Sequence, residues 1–233
     1  RDFRKNDWFA VNENEAYDPG SMLKVPVMMT YLKMVEADPQ LFGRTMRLHS
    51  SRPLPVSAFP PSASIEVDKD YSLADLLQYT IQRSDNKANL VLVENMDMNS
   101  FHHTFTDIGL RDFENGAEFY PMTAPDYAMF LKALYNSSFL SPRTSEYAME
   151  LLMRAEFQQG LVQGIPESVP VAHKFGEAGS PTMGQLHECG IVYLKDNPYL
   201  IVVMTMGPDI HALPKVIGSI SSIVYDSMSG ADN

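Results

Sequence analysis

The chain has 233 residues, 45% of them hydrophobic and 20% charged, with a formal net charge of −11 and a single cysteine. This is the composition of an ordinary globular protein able to bury a large core, as one large domain or two small ones. The acidic balance argues against a nucleic-acid or anionic-membrane partner, and one cysteine excludes an intramolecular disulfide.

No stretch approaches the length of a transmembrane helix, and no signal peptide is visible. The chain begins at Arg1 without a methionine and soon enters a strand-like run, which reads as a trimmed or mature fragment. Trp8-Phe9-Ala10-Val11-Asn12 predicts a short strand. After Gly20 a strongly apolar helix runs through Tyr31-Leu32, with Pro26 near its first turns. Residues 51–62 are rich in proline and serine and predict an ordered surface crossing. Ser72-Leu73-Ala74-Asp75 has the form of a capping box and opens a helix to about Gln82. A helix follows Asn86, with Leu90, Val93 and Met96 spaced for one apolar face. Thr123-Ala124-Pro125-Asp126 opens a helix to about Tyr135, and Ser141-Pro142 opens another. The pattern then changes to three strands, Val169 to Glu177, Leu186 to Lys195 and Tyr199 to Met206, with Asp196-Asn197-Pro198 as a tight link. A helix from about Leu213 to Met228 closes the chain. The order predicts an α+β fold: an antiparallel sheet from the N- and C-terminal segments packed against helices, with an all-helical lobe. It is read as one domain over 1–233, with a sheet lobe at about 1–20 and 165–233 and a helical lobe at about 21–164.

Three short motifs carry the chemistry. Ser21-Met22-Leu23-Lys24 sets a serine and a lysine three residues apart at a helix start, after Asp18-Pro19-Gly20. Positions i and i+3 share a helical face, so a lysine amine there can take the proton of a weakly nucleophilic hydroxyl. Ser84-Asp85-Asn86 lies at a helix-to-helix junction, and Lys174-Phe175-Gly176 on the first strand of the late meander. Taken singly, these are a solvated helix start, an N-cap cluster and an edge-strand charge. His173, His187 and Glu188 have no spacing that compels a metal site, and His102-His103 reads as helix surface. Cys189 sits in an apolar run and reads as a buried structural thiol.

In order, the three motifs resemble those of the penicillin-recognising serine enzymes, Ser-x-x-Lys, Ser-Asp-Asn and Lys-(Thr/Ser)-Gly. The extension Ser84-Asp85-Asn86-Lys87-Ala88-Asn89-Leu90 is similar to class A β-lactamases, as are Thr123-Ala124-Pro125 and Gly164-Ile165-Pro166. The resemblance covers nearly the whole chain and implies a β-lactamase/transpeptidase-like fold. It also implies a serine hydrolase with no cofactor and no metal, acting on β-lactams or related cell-wall peptide acyl groups outside the cytoplasm. Ser21 would form an acyl-enzyme, with Lys24 as base, a role that requires its neutral form; burial and a second cation at Lys174 would favour that form. Ser84 would pass the proton to the leaving nitrogen. Asn86 would orient Lys24 and hold the substrate's amide side chain, and Asp85 would tie the two helices together. The N–H groups of Ser21 and Glu177 would stabilise the oxyanion, and a side chain at Gly176 would obstruct an acyl group lying along the strand.

The chain departs from the pattern twice. Phe175 stands where the family has Thr or Ser, whose hydroxyl helps bind a substrate carboxylate, and Glu177 adds a negative charge beside it. The stretch from Gly109 to Thr123 is short for the Ω-loop that carries the deacylating glutamate of class A enzymes; Glu114 and Glu118 are the candidates. Two other readings stay open: a D-alanyl carboxypeptidase- or esterase-like penicillin-binding protein, and a ligand-sensing domain without turnover. The sequence does not determine oligomeric state.

Overall fold

The computed structural model of the chain describes residues 1–49, 53–54, 56–111 and 120–230. In chain order its regular elements are helix α1 (Lys24–Ala37), strands β1 (Thr45–Arg47) and β2 (Asp70–Ser72), and helices α2 (Leu73–Gln82), α3 (Asn86–Glu94), α4 (Met98–Asp107), α5 (Ala124–Tyr135) and α6 (Pro142–Met153). Strands β3 (Val171–Ser180), β4 (Met183–Val192) and β5 (Tyr199–Gly207) and helix α7 (Leu213–Ser229) follow. They divide into two compact units, one made of Leu23–Asn115 and Ala133–Glu156, the other of Arg1–Met22, Gly116–Lys132 and Phe157–Asn233.

The first unit is built around α1. Every residue from Lys24 to Leu32 is buried, the signature of a helix covered on all sides rather than on one stripe. It is packed by α2, α4 and α6. Two polar contacts fix its rotation: the Tyr31 hydroxyl donates to the Leu92 carbonyl at 2.6 Å, and the Thr30 and Thr104 hydroxyls meet at 2.8 Å. Pro26 falls in the first turn, where its missing N–H removes no helical bond. The expected starts are in place. Ser72 and Asp75 cap α2 reciprocally, and Ser141 caps α6 with Pro142 at its first position.

The apolar face expected of α3 is only partly formed. Leu90 and Met96 are buried, but Val93 is 38% exposed, because α3 ends at Glu94 and Met96 lies beyond the helix whose period was assumed. The pairing of β1 with β2, Thr45 opposite Ser72 and Arg47 opposite Asp70, has no counterpart in the sequence reading; three residues are too few to display a period of two. Within the expected crossing at 51–62, residues 51, 52 and 55 lie outside the described residues.

The second unit carries an antiparallel sheet in the order β3-β4-β5, with α7 packed against β4 and β5. β3 and β4 extend further than expected, to a hairpin closing between Ser180 and Met183, where Gly179 takes φ +98°. α7 ends on Gly230 at φ +73°, a left-handed cap that glycine adopts without steric cost.

The strand expected at Trp8–Asn12 is absent. Trp8, Phe9 and Val11 are 66%, 85% and 70% exposed, so the apolar alternation has no packed face to stabilise it as a strand. The N-terminus meets the sheet instead at Arg1–Phe3, through a bridge between Asp2 and Tyr199 and reciprocal bonds between Arg1 and Leu200. Part of the segment expected in the helical lobe groups with the sheet. Met122 forms a bridge with Tyr17, and the Tyr127 hydroxyl donates to the Met22 carbonyl at 2.7 Å.

Candidate active site

In the helical unit Lys24 of the first motif meets the second motif. Lys24, the first residue of α1, is 3% exposed. Its Nζ donates to the Ser84 carbonyl at 2.6 Å, to Ser84 Oγ at 3.2 Å and to Asn86 Oδ1 at 2.7 Å. Ser84 takes φ +56°, a left-handed conformation uncommon for a side chain of this kind and costing on the order of 1–3 kcal/mol. This turn between α2 and α3 aims both its carbonyl and its hydroxyl at one amine nitrogen. Asp85 is buried and faces the other way. Its carboxylate accepts from the Lys87 N–H as the α3 cap, from Ser64 Oγ at 2.8 Å and from the Ile65 N–H at 2.9 Å. It therefore anchors α3 to the incoming Ser64-Ile65 segment; the link to α2 is made by its N–H, which donates to the Tyr79 carbonyl.

In the sheet unit, Ser21 stands on the 3-10 turn Gly20–Leu23, which runs directly into α1. The turn sits backbone against backbone on β3. A Cβ on Gly176 would lie 2.4 Å from the Pro19 carbonyl oxygen and 2.7 Å from the Met22 nitrogen, and one on Gly20, at φ +51°, 2.2 Å from the Glu177 carbonyl oxygen. Gly176 therefore has a packing reason to be glycine, toward the turn itself. These contacts bring the backbone of the Ser21 turn against that of Glu177, whose N–H was expected to form an oxyanion hole with that of Ser21.

Lys174 is 1% exposed; its Nζ donates to the Phe175 carbonyl at 2.8 Å and lies 4.4 Å from the centre of the Phe175 ring. That ring is buried and stacks on Phe157 with centroids 4.1 Å apart and planes 22° from parallel. On the same strand the buried His173 Nδ1 meets Glu188 Oε1 at 2.7 Å, while Glu188 Oε2 accepts the Leu161 N–H at 2.8 Å. Cys189, opposite Lys174 in register, is fully buried, and burial pushes its thiol up to about 12. It is chemically quiet. Among the described residues no group of three or more His, Cys, Asp and Glu side chains is arranged to hold a metal ion. Glu114 and Glu118 lie outside the described residues.

His187, read from the sequence as structural, holds the segment before Ser21. Its Nδ1 accepts the Thr205 N–H at 3.2 Å, so its proton resides on Nε2, which lies 3.1 Å from the Asp18 carbonyl oxygen. Burial pulls its pKa down to about 4. An imidazole in the unfolded chain titrates near 6.5, so between about 6.5 and about 4 the unfolded state binds the extra proton. The stability contributed by neutral His187 is full above that window and falls by about 3 kcal/mol as pH drops through it. Urea unfolding at pH 7.5 and 4.5 is expected to show this loss, and His187→Gln to reduce it. An equal loss in the variant would assign the effect to other groups.

The comparisons with known proteins bear on the family and the fold. A model described as the beta-lactamase enzyme family matches residues 1–228. No curated protein matches the sequence significantly. Among solved structures, a beta-lactamase from Sphaerobacter thermophilus is similar at a TM-score of 0.77 and 18% identity, over 94% of this chain and 86% of that one. The chromosome-encoded beta-lactamase of Vibrio parahaemolyticus is similar at 0.80 and 16% identity, over 97% and 90%. A PBP-A mutant described as an acyl-enzyme complex with penicillin G is similar at 0.77 and 16% identity, over 97% and 87%. At these identities the likeness establishes the fold, which is that of the beta-lactamases. With a family model matched along nearly its whole length, the chain belongs to the beta-lactamase enzyme family.

Proposed function

We propose that the protein is a serine hydrolase that forms an acyl-enzyme through Ser21. The observation that carries this reading is the grip on Lys24, whose Nζ is bonded to both Ser84 and Asn86. A buried amine bonded to a second hydroxyl can, in its neutral form, take the proton of a serine nucleophile and pass it on through that hydroxyl. In the proposed cycle, Lys24 takes the Ser21 proton as Oγ attacks an acyl carbon. The oxyanion is stabilised by the N–H groups of Ser21 and Glu177, and as the bond from the acyl carbon to the leaving group breaks, Ser84 gives its proton to the leaving group and takes the one held by Lys24. Lys174 supplies positive charge, and Asn86 orients both Lys24 and the substrate amide. The acyl donors proposed are β-lactams and related cell-wall peptide amides or esters.

Intact-mass measurement after incubation with penicillin G, and separately with a p-nitrophenyl ester, tests this. The expected result is one added acyl mass located on Ser21 and absent from Ser21→Ala. No adduct and no turnover with either compound would exclude it.

A second reading, a ligand-sensing domain without turnover, is favoured by the buried Phe175–Phe157 stack, which puts a ring beside Lys174 where the family has a hydroxyl for a substrate carboxylate. It predicts that the adduct persists while steady-state hydrolysis stays negligible. Multiple turnover of either compound would set it aside.

A further inference from the structure

We infer that His187 and Gln185 are positioning residues for the nucleophile: together they grip the backbone of Asp18 and so fix the turn that presents Ser21. This inference rests on the reading of Ser21 as the acylated residue. It adds a pair of side chains on β4 that none of the three motifs includes.

The geometry is specific. Asp18 is held at both of its backbone polar groups. Its N–H donates to Gln185 Oε1 at 3.1 Å, and its carbonyl oxygen accepts from His187 Nε2 at 3.1 Å. The same Nε2 lies 3.3 Å from Gln185 Oε1, so the two side chains are tied to each other as well as to the loop. The Thr205 N–H on β5 fixes the tautomer from behind, leaving His187 able only to donate toward Asp18. The Tyr17 ring packs edge-on against the imidazole at 5.2 Å, and Tyr17 is itself paired by two backbone bonds with Met122.

From Asp18 the constraint passes to Ser21 over three peptide bonds and the contacts that hold them. The Asp18 carbonyl belongs to the peptide plane of Pro19, and planarity lets a grip on one atom orient the whole group. The Pro19 carbonyl then accepts the Met22 N–H at 3.0 Å and sits in the space left by the missing Gly176 side chain. The Asp18 carboxylate accepts the Gly20 N–H at 2.9 Å. Gly20 in turn lies on the Glu177 backbone. The distance between the Ser21 and Glu177 N–H groups is therefore set at one end by β3 and at the other by the His187–Gln185 grip. An oxyanion hole works only when its donors stand where charge will develop, and a displacement of about 1 Å can cost about 10²-fold in rate.

The test compares the 233-residue chain with His187→Leu, Gln185→Leu and His187→Gln, using the p-nitrophenyl ester burst for acylation and amide hydrogen exchange at residues 20–23 without substrate. His187→Leu is expected to lower the maximal acylation rate by about 10–100-fold while the half-saturating ester concentration changes by less than about threefold. Exchange at residues 20–23 should accelerate in the same variant. His187→Gln, which keeps a donor for the Asp18 carbonyl, should recover most of the rate. Gln185→Leu should shift both readouts in the same direction and carries the test if His187→Leu does not fold. A folded His187→Leu that acylates at the wild-type rate overturns the inference. So does faster exchange with unchanged acylation, since the grip would then serve the fold alone. If the wild-type chain takes up neither penicillin G nor the ester, the proposed reaction fails, and unchanged exchange in the variants would then remove the grip as well.

Discussion

Lys24→Met is expected to slow acylation of Ser21 by about 10²–10⁴-fold, the usual worth of a positioned general base. Methionine fills much of the buried volume but can neither accept the Ser21 proton nor donate to the three acceptors that surround Nζ. Those acceptors belong to a turn that already bears left-handed backbone at Ser84. Losing a shared donor there should lower stability by about 1–3 kcal/mol. Lys24→Arg separates the two effects. A guanidinium keeps the charge and the donors but does not give up its proton, so the arginine variant should be nearer the wild type in melting temperature and remain slow in the ester burst. Fast acylation by either variant would show that another group deprotonates Ser21.

Phe175→Thr is expected to move the preference of the site toward anionic acyl donors. At present the ammonium of Lys174 faces the Phe175 ring and donates to its carbonyl, while the ring is pinned against Phe157. The phenyl ring itself has no hydrogen-bond donor to offer a carboxylate. Threonine opens that space and adds a hydroxyl; a hydrogen bond to a charged group is worth about 1.5–3 kcal/mol. The ratio of acylation by penicillin G, which carries a carboxylate, to acylation by an uncharged p-nitrophenyl ester should therefore rise about 10–100-fold. The cost is the buried stack, and truncating a packed phenylalanine should destabilise the chain by about 3 kcal/mol, visible as a lower melting temperature. An unchanged ratio would mean that Phe175 does not govern access to Lys174.

What the sequence disclosed and what it concealed follow from the range of the interactions. The cap at Ser72-Asp75, the Ser141-Pro142 start and the Asp196-Asn197-Pro198 link are local signals, legible because their partners lie within a few residues. The chemical motifs were legible as types; the bonding of Lys24 to Ser84 and Asn86, some 60 residues away, is supplied by packing in the helical unit. Trp8–Asn12 misled because alternation states a preference for a sheet and not the presence of a partner. His187 was concealed more thoroughly. Its meaning comes from a contact 169 residues distant, with the Asp18 carbonyl, and nothing in Leu186-His187-Glu188 announces that. The Phe157–Phe175 stack is hidden for the same reason. The sequence shows a hydroxyl missing at position 175 but gives no sign of what occupies its place.

The bare contact of Gly20 and Gly176 with the opposing backbone also bears on how such a sequence can drift. Neither position can acquire a side chain in one step, because the atom it would strike is main chain and cannot rotate aside. Phe175 and Glu177, flanking Gly176, are under no such prohibition. On the proposed acyl-enzyme reading, a lineage can therefore explore new acyl groups by exchanging the flanking residues while the frame around Ser21 stays fixed, so that substrate preference can diverge well before the geometry of attack does.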